Sequence, residues 1–474
     1  MKLIPLVVDL DGTLLRSDML LESGFSFVRH NPSRLLAPVA WLLGGKAHLK
    51  AQLAGAVSID VATLPYDKQV LEFLQKEKAS GRPLILATAS HLNHAQAIAN
   101  HLGLFDRVFA TSGKLNLSAS KKRDVLVAEY GNKGFDYAGN SRDDLTVWAA
   151  ARKAYVVSPE LGVAAAANRL GNVAQVITPP SQPIRAWAKQ LRLHQWIKNA
   201  LLFVPLLASH RVGEINLLVA GLLAFLLFGL CASSVYLLND LLDLEDDRQH
   251  PKKCLRPLAS GAVPIKAALL VFPVLLITAF AGAAWWLPWP FTLALACYYA
   301  LTLAYSLVLK RIMTIDVIAL ALLYTVRIVA GAFAFNINLT FWMLAFSMFL
   351  FLSLALVKRY AELRELRAQG NGALTAGRGY SPEDLAMISS LGAASGYLAV
   401  LVLALYIQDQ QTMAQYQYPK MIWLACPLLL YWITRTWMLT HRGRMHDDPV
   451  VFAMKDRNSL LTGVCFAIVF WLAA

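Results

Sequence analysis

The chain has 474 residues, of which 57% are hydrophobic and 16% are charged. Soluble globular proteins usually contain about half apolar and about a quarter charged residues, so this composition indicates a membrane protein. It excludes a disordered tail protein, a collagen-like chain and a small secreted module held by disulfides. The five cysteines form no CxxC pair, and we expect small buried hydrophobic residues rather than a structural zinc site.

The net charge of +14 is divided unevenly along the chain. Residues 1–182 contain 20 Lys/Arg and 15 Asp/Glu, whereas residues 183–474 contain 24 and 15. The first excess is scattered and shows no basic stripe with interleaved aromatic residues, so nucleic-acid binding has little support. Most of the second excess lies in short loops between apolar runs, which is typical of a polytopic membrane protein.

Residues 1–178 have the pattern of a soluble α/β domain. Short apolar runs at 6–10, 83–88, 135–138 and 154–157 alternate with charged helical segments. The first run is too short for a signal peptide, so we expect this domain to stay in the cytoplasm. A proline-rich linker at 179–184 then leads to a second domain at 185–474.

The second domain contains nine apolar runs, and most are near the roughly 20 residues that cross a bilayer. They lie near 197–209, 214–238, 264–285, 290–308, 314–335, 340–357, 385–407, 420–439 and 459–474. Because the runs lack the alternation of barrel strands, they predict an all-α bundle of about nine transmembrane helices. Alternate loops carry sixteen Lys/Arg and the opposite loops carry two, which predicts that the basic loops face the cytoplasm.

A DxDGT sequence follows the first predicted strand. Asp9 and Asp11 are two residues apart at the C-terminal end of that strand, so they point to the side where α/β sheets bind ligands. One carboxylate can attack phosphorus while the second protonates the leaving oxygen. Gly12 allows a tight turn beside them. His91 and His94 have no third ligand nearby, and we expect polar residues at a helix start rather than a metal pair.

This domain resembles the haloacid dehalogenase (HAD) phosphatase superfamily over residues 1–175. The resemblance implies a Rossmann-like fold with a small helical cap at 18–80, and a Mg²⁺-dependent site in which Asp9 is the nucleophile and Asp11 the acid/base. It assigns phosphoryl binding to Thr88 and Lys122, with Lys121 as the alternative. It assigns the metal to Asp9, Asp11, Asn140 and Asp144.

The loop 139–145 departs from the HAD pattern, because Asn140 stands where the family normally has a metal-binding aspartate. An amide oxygen can bind a cation but removes one negative charge. Two interpretations stay open: an active phosphatase, or a folded domain retained as a regulatory appendage.

An acidic segment at 239–257 follows one apolar run directly. Asp240, Asp243 and Asp247 have the helical spacing i, i+3, i+7 and are expected to share one face. Carboxylates so placed repel each other unless a hard cation joins them, and Mg²⁺ prefers oxygen ligands and substrate phosphate. Basic residues follow at once, which indicates a site for a phosphate-bearing substrate.

The second domain resembles the UbiA-type intramembrane prenyltransferase superfamily over residues 185–474, through this segment and through residues 195–199. Members that use prenyl diphosphates carry a second aspartate-rich motif, whereas residues 305–316 contain a single acid beside a Lys-Arg pair. The pattern therefore resembles the branch that transfers phosphoribose from phosphoribosyl pyrophosphate (PRPP) to polyprenyl phosphate, the decaprenyl-phosphate phosphoribosyltransferases.

That resemblance implies catalysis and Mg²⁺ binding by Asp240, Asp243 and Asp247. The substrate-binding residues that it implies are Lys198, Asn239, Arg248, Lys252, Lys253, Arg256, Tyr305, Lys310, Asp316, Arg327, Lys358 and Arg359. Arg327 lies within a predicted span, where a charge is costly unless it faces a cavity. A helix-packing ion pair without a ligand is the alternative for Arg327.

The leading functional hypothesis is a bifunctional membrane enzyme. Its membrane domain would transfer phosphoribose from PRPP to a polyprenyl phosphate, and its HAD domain would remove the 5-phosphate from the product. One alternative is a prenyltransferase that moves a prenyl group from a prenyl diphosphate to an aromatic or other acceptor. A second is a transporter or binding protein with an inactive HAD domain, although transporters usually show broken helices at mid-membrane rather than an acidic motif at the boundary.

Overall fold

The structure, a computed structural model, describes residues 3–112, 116–178, 182–368, 379–408, 416–445 and 448–473. The chain divides into two compact units. The first contains residues 1–191 and 236–272, and the second contains residues 192–235 and 273–474. The acidic segment therefore belongs to the same unit as the N-terminal domain. The predicted linker at 179–184 includes residues 179–181, which lie outside the described residues.

A parallel sheet forms the centre of the N-terminal domain, as the α/β pattern predicts. Its six strands, β1 to β6, are Leu6–Val8, Leu84–His91, Arg107–Thr111, Asp136–Gly139, Ala154–Val157 and Val173–Ile177. Their order is β3-β2-β1-β4-β5-β6, and all neighbours are parallel. Strand β1 thus lies between β2 and β4, and its C-terminal end opens onto the ligand edge of the sheet.

Helices cover both faces of this sheet. Leu6 and Val8 pack into one core and Val7 into the other, as the alternation of a strand requires. The helices α1 to α8 are Met19–His30, Ala37–Leu43, Lys46–Ala56, Lys68–Ala79, Leu92–Leu102, Ala119–Tyr130, Leu145–Ala150 and Val163–Asn168. Helices α1 to α3 lie in the segment predicted as the cap and pack around Phe27, Leu49 and Leu53.

The remainder of the described chain is helical. Helices α9 to α20 are Pro183–Gln190, Val204–Ala208, Ile215–Leu242, Leu244–Gln249, Ile265–Trp286, Trp289–Leu307, Ile315–Ala334, Phe341–Ala368, Leu385–Ile407, Ala425–His441, Pro449–Ala453 and Arg457–Ala473. Among the described residues, seven of the helical segments are long and apolar enough to cross a membrane, and each matches one predicted span.

The first and last predicted spans are shorter than these seven. The run at 197–209 forms a 3-10 helix, Leu193–Phe203, followed by the five-residue α10. Pro205 lies in the first turn of α10, where proline is tolerated, but it cannot continue an α-helix from the preceding turn. The last run forms α20, which has 17 residues.

Candidate active sites

The two aspartates of the DxDGT segment lie at the C-terminal edge of the sheet. Asp9 directly follows β1, and its Oδ1 accepts a hydrogen bond from Lys122 Nζ at 2.7 Å. Asp11 Oδ1 accepts from the Met19 amide at 2.8 Å, and Asp11 Oδ2 accepts from the Ser90 hydroxyl at 2.6 Å. The structure thus brings Asp9, Asp11 and Lys122 together, as the sequence predicts.

Thr88 is buried at the same edge, and its hydroxyl lies 3.5 Å from Asp11 Oδ2. The predicted strand ends at this residue, whereas β2 continues to His91 with an irregular register after Ala87. The Thr88 hydroxyl also accepts a hydrogen bond from the Ser90 amide at 2.9 Å. The hydroxyls of Thr88 and Ser90 therefore both contact Asp11 Oδ2.

Lys122 is the centre of a buried row of charged and polar groups. Its Nζ lies 2.9 Å from the Tyr137 hydroxyl and 3.9 Å from Asp144 Oδ1, and Tyr137 donates to Asp144 at 2.7 Å. Burial raises the pKa of Asp9 to about 7, the carboxylates of Asp144 and Asp11 add to the rise, and Lys122 opposes it. Lys122 therefore stabilises the ionised form of Asp9.

Asn140 and Asp144 have different surroundings. Asp144 Oδ2 accepts hydrogen bonds from the Asn140 amide, the Ser141 amide and the Ser141 hydroxyl at 2.9–3.0 Å, so both of its oxygens bond to the protein. The Asn140 side chain instead lies against the DxDGT turn, where a Cβ on Gly12 would be 2.2 Å from its Nδ2. The Asn140 side chain therefore lies directly against the DxDGT turn.

Lys50 and Tyr137 complete this site, and sequence reasoning missed both. Lys50, on the cap helix α3, donates to the Ala89 carbonyl at 2.6 Å and to Asn116 Oδ1 at 3.0 Å, so it places a second cation at the end of β2. Tyr137 precedes the loop 139–145 by two residues, and this proximity was its only signal. Nothing in the local sequence around Lys50 pointed to the site.

His91 and His94 are polar residues at a helix start, as expected. His91 caps α5 by accepting from the Asn93 amide, and His94 is buried with its Nε2 3.3 Å from the Ser23 hydroxyl. Burial lowers the pKa of His94 to about 4, and His91 adds to this shift. His94 is therefore neutral in the folded domain.

The low pKa of His94 predicts acid sensitivity of the N-terminal domain. Between the unfolded value of 6.5 and about 4, the unfolded chain binds more protons than the folded chain. The contribution of His94 to stability is thus expected to fall by roughly 3 kcal/mol as pH falls through this window, while the raised pKa of Asp9 acts in the opposite direction in wild type and variant alike. Limited proteolysis of the full chain at several pH values measures the effect, and His94→Gln should flatten it. An unchanged pH profile in His94→Gln would contradict the assignment.

The acidic segment bends at its middle aspartate. Helix α11 ends at Leu242, α12 begins at Leu244, and Asp243 lies between them with φ −94° and ψ 13°. Asp240 and Asp247 lie on one side, where Arg256 Nη1 contacts Asp240 Oδ1 at 3.1 Å and Asp247 Oδ2 at 2.6 Å. The expectation of one shared face is therefore met by Asp240 and Asp247, whereas Asp243 lies at the interruption and contacts Arg29 at 3.2 Å.

Burial and charge make this pair of carboxylates a candidate cation site. Asp240 and Asp247 are 4% and 2% exposed, and Gln190 Nε2 donates to Asp240 Oδ2 at 2.8 Å. Burial raises the pKa of Asp247, Arg256 opposes this, and Asp240 adds to it. A further cation beside them would stabilise the charged forms, and carboxylate oxygens are the ligands that Mg²⁺ prefers.

No group of three or more His, Cys, Asp and Glu side chains in the part of the chain that the structure describes is spaced to hold one metal ion. A Mg²⁺ ion at either candidate site would therefore complete its shell with amide, water or substrate oxygens, which is usual for this ion.

The basic residues of the acidic segment have different partners. Arg248 donates to both carboxylate oxygens of Glu22 at 2.6 and 2.8 Å and to the Ala259 carbonyl at 3.0 Å. Its three guanidinium nitrogens are thus engaged within the protein, in contrast to the predicted substrate contact. Lys252 and Lys253 are exposed, and Asn239 lies within the last turn of α11.

In the second unit, Lys198 and Lys358 meet at an aspartate that sequence reasoning missed. Asp448 Oδ2 lies 2.8 Å from Lys198 Nζ and 3.6 Å from Lys358 Nζ, and the Tyr324 hydroxyl donates to Asp448 at 2.9 Å. Although burial alone would raise it, Lys198 and Lys358 hold the pKa of Asp448 well below its usual range. Its only sequence signal was a carboxylate just before Pro449 and the short helix α19.

Arg327 is a buried cation next to this group. It is 4% exposed, and its partners are the Tyr298 hydroxyl at 3.0 Å, Asn199 Oδ1 at 3.3 Å and the Leu323 carbonyl of its own helix. No carboxylate of the described residues pairs with it, so the alternative of a helix-packing ion pair is not observed. Asn199 Nδ2 is buried and has no hydrogen-bond partner there. A buried guanidinium beside an unsatisfied donor is suited to an anion.

Arg359 contacts both Asp316 and Tyr305. The Arg359 guanidinium pairs with Asp316 and Glu362 and donates to the Tyr305 hydroxyl at 2.9 Å, and Tyr380 donates to Asp316 at 2.6 Å. Arg359 is 1% exposed and Asp316 is fully buried. This arrangement joins α15 to α16 and indicates a structural ion pair, in contrast to the predicted substrate contacts. Lys310, six residues before Asp316, is half-buried.

Asp316→Asn is therefore expected to destabilise the second unit. The change removes the fully buried carboxylate that pairs with Arg359, while Glu362 still pairs with that guanidinium, so the cost is at most about 3–5 kcal/mol, that of a broken buried pair. Thermal unfolding of the purified chain in detergent should show a lower midpoint, and the exposed Glu383→Gln serves as the control. An unchanged midpoint with weaker substrate binding would instead support the substrate role that the sequence suggested.

Comparisons with known proteins add two domain families. The UbiA prenyltransferase family matches residues 200–460, and the haloacid dehalogenase-like hydrolase family matches residues 6–148. An uncharacterised protein of Sinorhizobium fredii is 36% identical over 473 residues, which cover 99% of this chain and 91% of that protein.

A decaprenyl-phosphate phosphoribosyltransferase of Mycobacterium tuberculosis is 35% identical over 287 residues, which cover 60% of this chain and 92% of that protein. A solved UbiA homologue from Archaeoglobus fulgidus, bound to GPP and Mg²⁺, aligns with a TM-score of 0.46 at 15% identity. That alignment covers 61% of this chain and 99% of the homologue.

Proposed function

We propose, starting from the fact that this chain belongs to the UbiA prenyltransferase family and is an integral multi-pass membrane protein, that it transfers phosphoribose from PRPP to a polyprenyl phosphate. The name of the mycobacterial relative supports this choice of donor and acceptor. We further propose that the HAD-like domain removes the 5-phosphate from the lipid-linked product. The excess of basic residues in alternate loops supports a cytoplasmic position for that domain.

The observation that carries the choice of acceptor is the cationic cluster of Lys198, Arg327 and Lys358, in which Lys198 and Arg327 are buried and Lys358 is partly exposed. Asp448 is the one acid of the described residues that pairs with Lys198 and Lys358, and Arg327 contacts Asn199, whose side-chain nitrogen has no hydrogen-bond partner there. An aromatic acceptor of a prenyl group would not require such a cluster, whereas a lipid phosphate would be stabilised by it. We therefore assign the cluster to the acceptor phosphate.

The acidic segment is assigned to the pyrophosphate of the donor. Asp240 and Asp247 would hold Mg²⁺, which when bound supplies charge neutralisation for the leaving pyrophosphate. Arg256, which contacts both carboxylates, would stabilise the negative charge that develops on the pyrophosphate as its bond to the ribose breaks. The exposed Lys252 and Lys253 are placed to attract the highly charged donor.

The transfer itself requires alignment more than proton removal. The acceptor phosphate oxygen is already anionic, so it attacks the anomeric carbon of the ribose without a strong general base. A new carbon–oxygen bond forms to the lipid phosphate while the bond to pyrophosphate breaks, and its electron pair leaves with pyrophosphate. Binding both anions in a fixed orientation accounts for most of the required acceleration.

In the HAD-like domain, Asp9 is proposed to attack the phosphorus and Asp11 to protonate the leaving ribose oxygen. Burial raises the pKa of Asp11, with a further contribution from Asp18, which favours the protonated form that an acid needs. Thr88 and Lys122 would hold the phosphoryl oxygens. Asp9 and Asn140 fit a Mg²⁺ ion by donor type, whereas the fully bonded Asp144 is proposed to position Lys122 and the loop 139–145.

The assay that tests this function uses the purified full chain in lipid nanodiscs. PRPP labelled in its ribose carbons is incubated with polyprenyl phosphates of several lengths, and the lipid is then extracted. We expect label in the lipid only when both Mg²⁺ and polyprenyl phosphate are present. Prenylation of an aromatic acid from a prenyl diphosphate, with no transfer from PRPP, would identify the chain as the alternative prenyltransferase.

A further inference from the structure

Helix α1 of the N-terminal domain contacts the acidic segment within the same compact unit. Arg29 Nη1 donates to the Leu242 carbonyl at 3.1 Å and to Asp243 Oδ1 at 3.2 Å, and its Nη2 donates to Asp246. Leu242 is the last residue of α11. One guanidinium therefore binds the end of the helix and the aspartate that follows it.

Two further residues on the same face of α1 fix this contact. Glu22, Ser26 and Arg29 have the spacing i, i+4, i+7 of one helix face. Glu22 forms the two-pronged ion pair with Arg248, in which both side chains are 5–6% exposed, and the Ser26 hydroxyl donates to Glu245 at 3.2 Å. Leu21 and Phe25 pack against the apolar residues that flank the acidic segment. The face is thus held by packing as well as by charge.

The position of Arg29 explains why α11 ends where it does. The last carbonyls of a helix lack partners within the helix, and a cation is stabilising at that end. Arg29 supplies both a donor and a charge at Leu242, and the same group orients the carboxylate of Asp243. The interruption of the helix at Asp243 is therefore stabilised from the N-terminal domain.

We infer that Arg29 is a positioning residue for the acidic segment, through which the HAD-like domain sets the affinity of that segment for a divalent cation. The inference rests on the proposed function in one respect, the binding of Mg²⁺ by Asp240 and Asp247, which lie on either side of the interruption at Asp243. Outer-shell groups that orient metal ligands typically change metal affinity by about 10–100-fold when they are removed, and Arg29 holds the backbone between the two ligands. The N-terminal domain is then a structural part of the transferase site as well as a phosphatase.

The test measures Mn²⁺ binding to the purified full chain by electron paramagnetic resonance, without substrate. The HAD-like site also binds cations on our proposal, so the portion of binding that Asp240→Asn removes defines the acidic segment. Arg29→Gln is expected to weaken this portion by about 10-fold or more. Arg29→Lys keeps the charge but cannot reach all three acceptors, so its affinity should be intermediate.

Lys266→Ala is the matched control. Lys266 lies in the first turn of α13 and pairs with Asp18, the cap of α1, at 3.0 Å, so the variant removes another ion pair of the α1 region without touching the acidic residues. We expect its Mn²⁺ affinity to equal that of the wild type. If Arg29→Gln does not fold, Arg29→Lys decides the question.

Two results would overturn the inference: an Arg29→Gln or Arg29→Lys isotherm equal to that of the wild type, or an absence of binding sensitive to Asp240→Asn. Failure of the proposed function is distinguishable from these. If the Arg29 variants weaken Mn²⁺ binding but the wild type transfers nothing from PRPP, the donor is wrong and the positioning role stands.

Discussion

Asp240→Asn is expected to lower Mg²⁺-dependent transfer from PRPP by about 10²–10³-fold, the usual cost of removing one group that stabilises developing charge. Asp240 is 4% exposed and contacts Arg256 and Gln190. The substitution keeps the size of the side chain and removes its charge, so the cation and the pyrophosphate lose a partner while the packing is conserved. Initial rates in nanodiscs, with label counted in extracted lipid, measure the loss.

Asp243→Asn is expected to lower the rate as well, through loss of a second carboxylate and of the contact with Arg29. Glu214→Gln is the control for both variants, because Glu214 is an exposed acid that pairs with Arg211 in the same loop. Its rate should equal that of the wild type. Wild-type turnover by both Asp240→Asn and Asp243→Asn, at normal membrane expression, would contradict the metal assignment.

The parts of the sites that could be predicted are those carried by local sequence. Asp9 and Asp11 follow a buried strand directly, and residues in that position point to the ligand edge whatever the rest of the fold does. The apolar runs are similarly local, because the bilayer fixes their length and composition. From these local features the sequence analysis predicted the α/β domain, the transmembrane helices and the acidic segment.

Long-range pairing could not be predicted from the sequence. Arg248 and Arg359 had the charge expected of substrate ligands, but Glu22 lies 226 residues from Arg248 and Asp316 lies 43 residues from Arg359. Asp448 and Arg29 were not predicted as site residues, because the partners that indicate their roles lie far away in the sequence. The sequence predicted one continuous helix face for the three aspartates. Their spacing alone does not indicate that α11 ends at Leu242.

Asp9→Asn is expected to reduce phosphate release from the lipid-linked product by about 10³-fold or more, the scale of loss when a nucleophile is removed. Asn is too weak a nucleophile to attack phosphorus, although it retains the shape that packs beside Lys122. Phosphoribosyl transfer should continue, because among the described residues Asp9 forms its side-chain ion pair with Lys122 and none with α1 or the acidic segment. The phosphorylated lipid product should therefore accumulate, which thin-layer separation of the labelled lipid measures.

Asn140→Asp is the informative companion to this variant. Asn140 lies against the DxDGT turn, so an aspartate there would add a negative charge beside Asp9. We expect the variant to release phosphate at a lower Mg²⁺ concentration than the wild type. The variant Asp143→Asn removes an exposed acid of the same loop and serves as the control.

A chain that releases no phosphate from the lipid-linked product or from simple phosphomonoesters, even as Asn140→Asp with ample Mg²⁺, would contradict the phosphatase assignment. The HAD-like domain would then act only through its structure, and the contacts of α1 with the acidic segment would be its remaining function. Transfer from PRPP would be unaffected by that outcome, because it depends on Asp240, Asp247 and the cations around Asp448. The two activities can therefore be tested separately in one protein.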